Sequence, residues 1–276
     1  MNLLDYTKNY CQENNIKPAR SKGQNFLVDE SVYDDIVTAA EIGKDEVVME
    51  VGPGLGFLTE KLAEVAKKVV TVELDDKLFG LLDARLREKG QENIEAINMN
   101  VLDFNIEEWE YKKNYKIVAN LPYNITSVFL RKFLSAKNQP KSLVLMLQKE
   151  VAERIAARPG KMSLLAVSVQ FYADAEIVLK VGREKFWPSP EVDSAVIKII
   201  AKNKINKTID EKSFFRLVKF GFSSKRKMLK NNLASGFHLS QDEVMEKIKK
   251  AGFGEKVRAQ ELGVEDWCKL QNEFKL

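Results

Sequence analysis

Val47-Val48-Met49-Glu50-Val51-Gly52-Pro53-Gly54-Leu55-Gly56 sets the architecture, because a short apolar run breaks into three alternating glycines. An apolar run bounded by turn formers reads as a buried strand, and glycines after it let backbone approach a ligand closely. A helical pattern follows over residues 58–66, with Leu58, Leu62 and Val65 expected on one buried face. The next strand, residues 68–72, ends at Glu73, a carboxylate placed to accept hydrogen bonds from two ribose hydroxyls.

Outward from that unit, strand-like runs recur at residues 94–98, 116–119, 142–147, 176–181 and 194–200. Helical patterns fall near residues 29–40, 76–89, 127–135, 149–157 and 163–172. Such alternation predicts an α/β fold, a mostly parallel Rossmann-like sheet with helices on both faces. The link over residues 182–193 carries Pro188 and Pro190 and leaves no room for a crossover helix. The last two of seven strands are therefore expected to pair antiparallel. After Ile200 the strand signals stop, residues 201–208 read as a polar linker, and the rest reads helical. The expected division is residues 1–200 as the sheet domain and 201–276 as a small C-terminal helical domain.

Asn120-Leu121-Pro122-Tyr123 stands at the end of the apolar run Ile117-Val118-Ala119. A proline that fixes φ, after a strand and before an aromatic, makes a rigid turn. It aims the Asn120 side-chain oxygen and the Leu121 backbone carbonyl at one point, with the Tyr123 ring beside it. Two acceptors and a ring face suit a planar base with an exocyclic amine. Such an amine is a poor nucleophile while its lone pair is delocalised; two acceptors favour a tetrahedral nitrogen that can attack a methyl donor. The glycine loop agrees. A dinucleotide fingerprint wants glycine at the sixth position, and here that residue is Phe57. S-adenosylmethionine, which has no pyrophosphate to cradle, fits this loop better than a nicotinamide cofactor.

Five motifs then follow one another as in the small-subunit rRNA adenine dimethyltransferases. They are Arg20-Ser21-Lys22-Gly23-Gln24-Asn25-Phe26-Leu27, Glu50-Val51-Gly52-Pro53-Gly54-Leu55-Gly56 and Asn120-Leu121-Pro122-Tyr123-Asn124-Ile125, then the runs 146–154 and 186–196. The chain resembles the bacterial branch, whose loss gives kasugamycin resistance. The resemblance implies a Rossmann-like seven-stranded methyltransferase sheet with a helical RNA-binding domain. It also implies S-adenosylmethionine as cofactor and dimethylation of N6 on two adjacent adenosines in a terminal hairpin loop of small-subunit rRNA. The implied partner is the immature small subunit, met by a monomer. Carried over by position, Asn25 and Leu27 cover the cofactor, Gly52 and Gly54 form its loop, and Glu73 with Leu74 holds the ribose. Asn120 lies between methyl donor and target amine, with Leu121, Pro122 and Tyr123 completing the catalytic turn. Phe186 is the second aromatic on the flipped adenine. Where the family has an aspartate accepting from the cofactor's adenine amine, this chain has Asn100, beside Val101; its amide oxygen is expected to take the role, with Asp103 as substitute. Residues 158–163 also run about two residues short of the family's surface loop.

Bulk composition agrees. The net charge is only +4, yet residues 202–230 hold ten basic and two acidic side chains, +8 in all, against −4 elsewhere. Lys225, Arg226, Lys227 and Lys230, with Phe214, Phe215, Phe220 and Phe222 interleaved upstream, form the expected phosphate-contacting segment. One histidine and two distant cysteines exclude most hydrolase and zinc mechanisms and form no metal or redox pair. The first residues lack an apolar signal segment, so a reducing cytoplasm is expected. Two alternatives stand beside the main reading: a large-subunit rRNA methyltransferase of the macrolide-resistance type, and an assembly factor acting mainly by binding.

Overall fold

The computed structural model describes residues 2–19, 24–111, 114–202 and 209–274. Motif residues 20–23, linker residues 203–208 and the side chain of Tyr123 lie outside what it describes. In chain order the elements are α1 (Leu3–Glu13), β1 (Phe26–Leu27), α2 (Glu30–Ala40), β2 (Val47–Val51), α3 (Phe57–Val65), β3 (Lys68–Glu73) and α4 (Asp76–Glu88). Then come β4 (Ile94–Asn98), β5 (Tyr115–Asn120), α5 (Thr126–Leu134), β6 (Ser142–Gln148), α6 (Lys149–Ile155), α7 (Leu164–Tyr172) and β7 (Ala173–Val181). The last are β8 (Phe186–Trp187), β9 (Ser194–Ala201), α8 (Glu211–Gly221), α9 (Leu229–Phe237), α10 (Gln241–Lys250) and α11 (Val264–Glu273).

Seven strands form one sheet in the order β4-β3-β2-β5-β6-β9-β7. β2, β3, β4, β5 and β6 are parallel, each pairing in register with its neighbour. Their central members are buried on both faces, as helix-covered parallel strands must be, which is why they read as continuous apolar runs. β9 inserts between β6 and β7 and runs antiparallel to β6, so the last two strands are neighbours, as the short link requires. The chain winds outward through β2, β3 and β4, then crosses to β5 on the other side of β2. That reversal makes a crevice at the carboxyl ends of β2 and β5, where open α/β sheets take their ligands.

Three features depart from the sequence pattern. Val65, expected inside, is 36% exposed; the helix ends there, and Ala66 takes the buried place in extended backbone. α1 has no counterpart in the expected elements, because it is polar and buries only Thr7 and Cys11; the Cys11 side joins Ile16, Phe26, Leu55 and Leu78. The ribbon of β1 and β8, pairing Phe26 with Trp187 and Leu27 with Phe186, is two residues long and leaves no periodic trace.

The chain forms two compact units, one of Met1–Ala152 with Ala175–Ala201, the other of Glu153–Asp174 with Lys202–Leu276. The division expected from sequence at residue 200 lies next to the last of the three points where the chain passes from one unit to the other, but the segment Glu153–Asp174 groups with the C-terminal helices. Ring packing explains it: Phe171 sits 4.4 Å from Phe214 and 5.2 Å from Phe215, and the Tyr172 hydroxyl bonds Glu211. The N–H groups of Gly160 and Met162, in the shortened loop, both donate to the Gln260 carbonyl.

Candidate active site

A cavity of about 330 Å³ opens where β2, β3, β4 and β5 end, within the size range of small-molecule sites. Asn25 and Leu27 line it from the ribbon, Gly52 and Gly54 from the turn after β2, Glu73 and Leu74 from the end of β3. Asn100 and Val101 follow β4, and Asn120 and Pro122 close the far side. Parallel register puts Val51 opposite Ala119, so the glycine turn and the catalytic-turn candidate leave adjacent strands at one level.

Local chemistry holds each group. Glu73 is 7% exposed, and its carboxylate accepts from the Asp75 N–H at 2.8 Å and the Gly54 N–H at 3.2 Å. Burial is the larger influence and raises its pKa. A carboxylate offers about four lone-pair directions, so acceptor capacity remains for hydroxyls. Gly54 has φ +57°, and a Cβ there would stand 3.4 Å from the Phe26 ring. Gly56 has a different reason. A Cβ there would overlap the Arg85 guanidinium, which donates to the Leu55 carbonyl at 2.5 Å. The third glycine thus serves a helix-to-loop tie and not the cavity.

The Asn120 turn is fixed through its backbone. Pro122 has φ −55° and ψ 130°, the Leu121 N–H donates to the Met146 carbonyl at 3.2 Å, and the Ile125 N–H to the Pro122 carbonyl at 3.3 Å. The Asn120 Nδ2 donates over 3.5 Å to the Asn25 carbonyl, which leaves Oδ1 as the acceptor. Asn100 Oδ1 accepts from the Leu102 N–H at 3.0 Å, closing a short turn over residues 101–103.

Sequence reasoning missed Glu50. It is buried on β2, lines the cavity and bonds the Thr59 hydroxyl at 2.6 Å; burial, with the nearby Glu73 carboxylate, pushes it up to about 8. An acid inside an apolar strand was the visible signal. Phe186 is 4% exposed and packs in the core with Leu27 and Tyr33, two residues that line the cavity. The Leu121 side chain is likewise buried.

In the second unit, Lys225, Arg226 and Lys227 are exposed on a turn. The buried Asn232 holds that turn by donating to the Gly221 and Ser224 carbonyls at 2.6 and 3.0 Å. Lys230 differs: its ammonium pairs with Glu255 at 2.6 Å and its side chain is 15% exposed. The interleaved phenylalanines pack among other rings. Phe214 is buried, Phe215, Phe220 and Phe222 are half-buried, and Phe220 and Phe222 pack on Phe237 and Trp267.

A seven-stranded sheet of this order, with a glycine turn, an acid and an Asn-Leu-Pro-Tyr turn around one crevice, defines a Rossmann-like methyltransferase. Comparison with known proteins agrees: the family profile described as Ribosomal RNA adenine dimethylase matches residues 15–276. The chain is 42% identical to Ribosomal RNA small subunit methyltransferase A of Dehalococcoides mccartyi, covering 99% of this chain and 94% of that protein. It is 39% identical to the protein of the same name from Clostridioides difficile, covering 96% and 94%. Among solved structures it resembles a dimethyladenosine transferase from Plasmodium falciparum, with 28% identity and TM-score 0.78 over 90% of this chain and 97% of that one. The 23S rRNA methyltransferase ErmE follows with 27% identity and TM-score 0.73 over 91% and 100%. The chain belongs to the ribosomal RNA adenine dimethylase family.

Proposed function

We propose that this enzyme transfers methyl groups from S-adenosylmethionine to N6 of two adjacent adenosines in a terminal hairpin loop of small-subunit rRNA, during small-subunit assembly. The observation that carries the reading is the Asn120 turn, opposite Gly52, with Nδ2 tied to the Asn25 carbonyl and Oδ1 free to accept. The residues present fit the cofactor: Glu73 keeps acceptor capacity for ribose hydroxyls, and the Gly52–Gly54 turn brings backbone to the cavity wall. When bound, that cofactor supplies a methyl group on a sulfonium.

The chain's residues do the rest. Asn120 Oδ1 and the Leu121 carbonyl accept from the target amine, draw its nitrogen towards tetrahedral geometry and so free the lone pair. Pro122 holds the two acceptors in one orientation, and Tyr123 supplies an aromatic face. Ring faces and carbonyl oxygens also favour the sulfonium's positive charge. The amine sheds its proton after attack, so no base titrating near pH 7 is required. Phe186 supports the pocket from the core through Leu27. Lys225, Arg226 and Lys227 meet phosphates, and a hairpin loop suits them because an unpaired base is less costly to extrude. The relatives at 39–42% identity bear a small-subunit name, which favours that substrate over the large-subunit RNA in ErmE's name.

The test is a labelled methyl donor with purified, unmethylated small subunits, followed by mapping of the modified bases. Two adjacent dimethyladenosines in one hairpin loop are expected. Label found only in large-subunit RNA, or binding to small subunits without label, would overturn the proposal.

A further inference from the structure

The cofactor pocket departs from the expected polarity at Asn100, and this inference rests on the methyl-donor reading of that cavity. β3 and β4 are adjacent, with Glu73 opposite Asn98. A nucleoside whose ribose sits on Glu73 therefore carries its base over the loop after β4, about one strand spacing of 4.8 Å away. The Met99 N–H donates to the Glu73 carbonyl at 3.0 Å and keeps that loop beside the ribose acid. Asn100 then faces the base.

Its carboxamide is not free to choose which end it presents. Oδ1 accepts from the Leu102 N–H at 3.0 Å, and turning the amide over would set an NH₂ against an N–H, two donors. The other arm, Nδ2, bonds to no described residue and stays accessible in a residue that lines the cavity. A carboxylate here would close the turn with one oxygen and accept with the other. The amide keeps the first bond and exchanges the second for a donor. Adenine offers N6–H donors beside the N1 acceptor, so an Nδ2–H finds a partner at N1 and none in the amine.

We propose that Asn100 meets the base of the methyl donor with a hydrogen-bond donor, so that this pocket does not select for the 6-amino group of the purine. Asn100 specifies which purine edge is read and takes no part in the transfer.

The experiment is calorimetric titration of the wild type and Asn100→Asp with two ligands, S-adenosylhomocysteine and its 6-deamino analogue. Aspartate caps turns as well as asparagine, so the loop is retained. The wild type is expected to bind both ligands within about threefold. Asn100→Asp, regaining a charged acceptor, is expected to prefer the 6-amino ligand by about tenfold or more. A wild type that prefers the 6-amino ligand tenfold, or an aspartate variant with no gain in preference, would overturn the inference while leaving the methyl-donor reading intact. Failure of the wild type to bind either ligand would overturn both.

Discussion

At the carboxyl ends of β2 and β5, the candidate chemistry is carried by backbone and by short-range contacts: a proline-locked turn, a glycine turn, and a carboxylate held by two N–H groups. In the C-terminal helices it is carried by lysine and arginine side chains whose surroundings come from elsewhere in the chain. Lys227 and Lys230 look alike in sequence. One is exposed, and the other is paired with Glu255, 25 residues away. A motif of turn formers brings its own geometry, whereas a run of charge has only the geometry that packing assigns to it.

The strongest way to break that contrast is in the helical core. Phe214 is fully buried among Phe171 and Phe215, so Phe214→Ala should destabilise that unit by about 3–5 kcal/mol in urea unfolding. Nucleoside binding at the sheet should stay within a few-fold below the transition; its loss in parallel would show that the two units do not carry their functions separately. Next in size, Asn120→Ala should cut turnover about a hundredfold or more while cofactor affinity holds within a few-fold. Unchanged turnover would remove the turn from the chemistry.

Glu73→Ala removes a charge-assisted acceptor and should weaken S-adenosylmethionine binding by about 1.5–3 kcal/mol. Unchanged calorimetric affinity would place the ribose elsewhere. Glu50 gives a pH signature. Its folded-state pKa is raised to about 8, so between about 4.5 and 8 the native protein keeps a proton that the unfolded chain has released. The Glu50 contribution to stability therefore falls as pH rises through that interval. Glu50→Gln should lose less stability than the wild type between about pH 5 and 8 in denaturant titrations; equal losses would mean the acid is not held neutral.

The smallest effects sharpen the contrast within the basic turn. Arg226→Ala with Lys227→Ala should weaken small-subunit binding and lower its salt slope by about one for each phosphate no longer neutralised. Lys230→Ala should leave the slope unchanged, because its ammonium is already neutralised by Glu255. A slope that drops equally for Lys230 would return that residue to the RNA-contacting set.

Most of the sheet is legible in the sequence because buried parallel strands are short, continuously apolar and punctuated by glycine or proline; all seven lie within a few residues of their expected ends. The site residues at strand ends are legible for a related reason, since the residue after a strand inherits its position from the register. Asn120 and Gly52 had to face one another once β2 and β5 paired. What stayed hidden depended on segments distant in sequence. The core neighbours of Phe186 come from the ribbon with Leu27, and which of the phenylalanines of α8 and the turn after it pack on which rings is set by Phe171, Phe237 and Trp267. Gly56 reads as a ligand-facing glycine until Arg85 arrives across it. Periodicity and turn chemistry are properties of neighbouring residues and survive in a linear reading. Burial, ion pairing and the choice of which end of an amide faces a cavity arise only when distant segments compete for the same atoms.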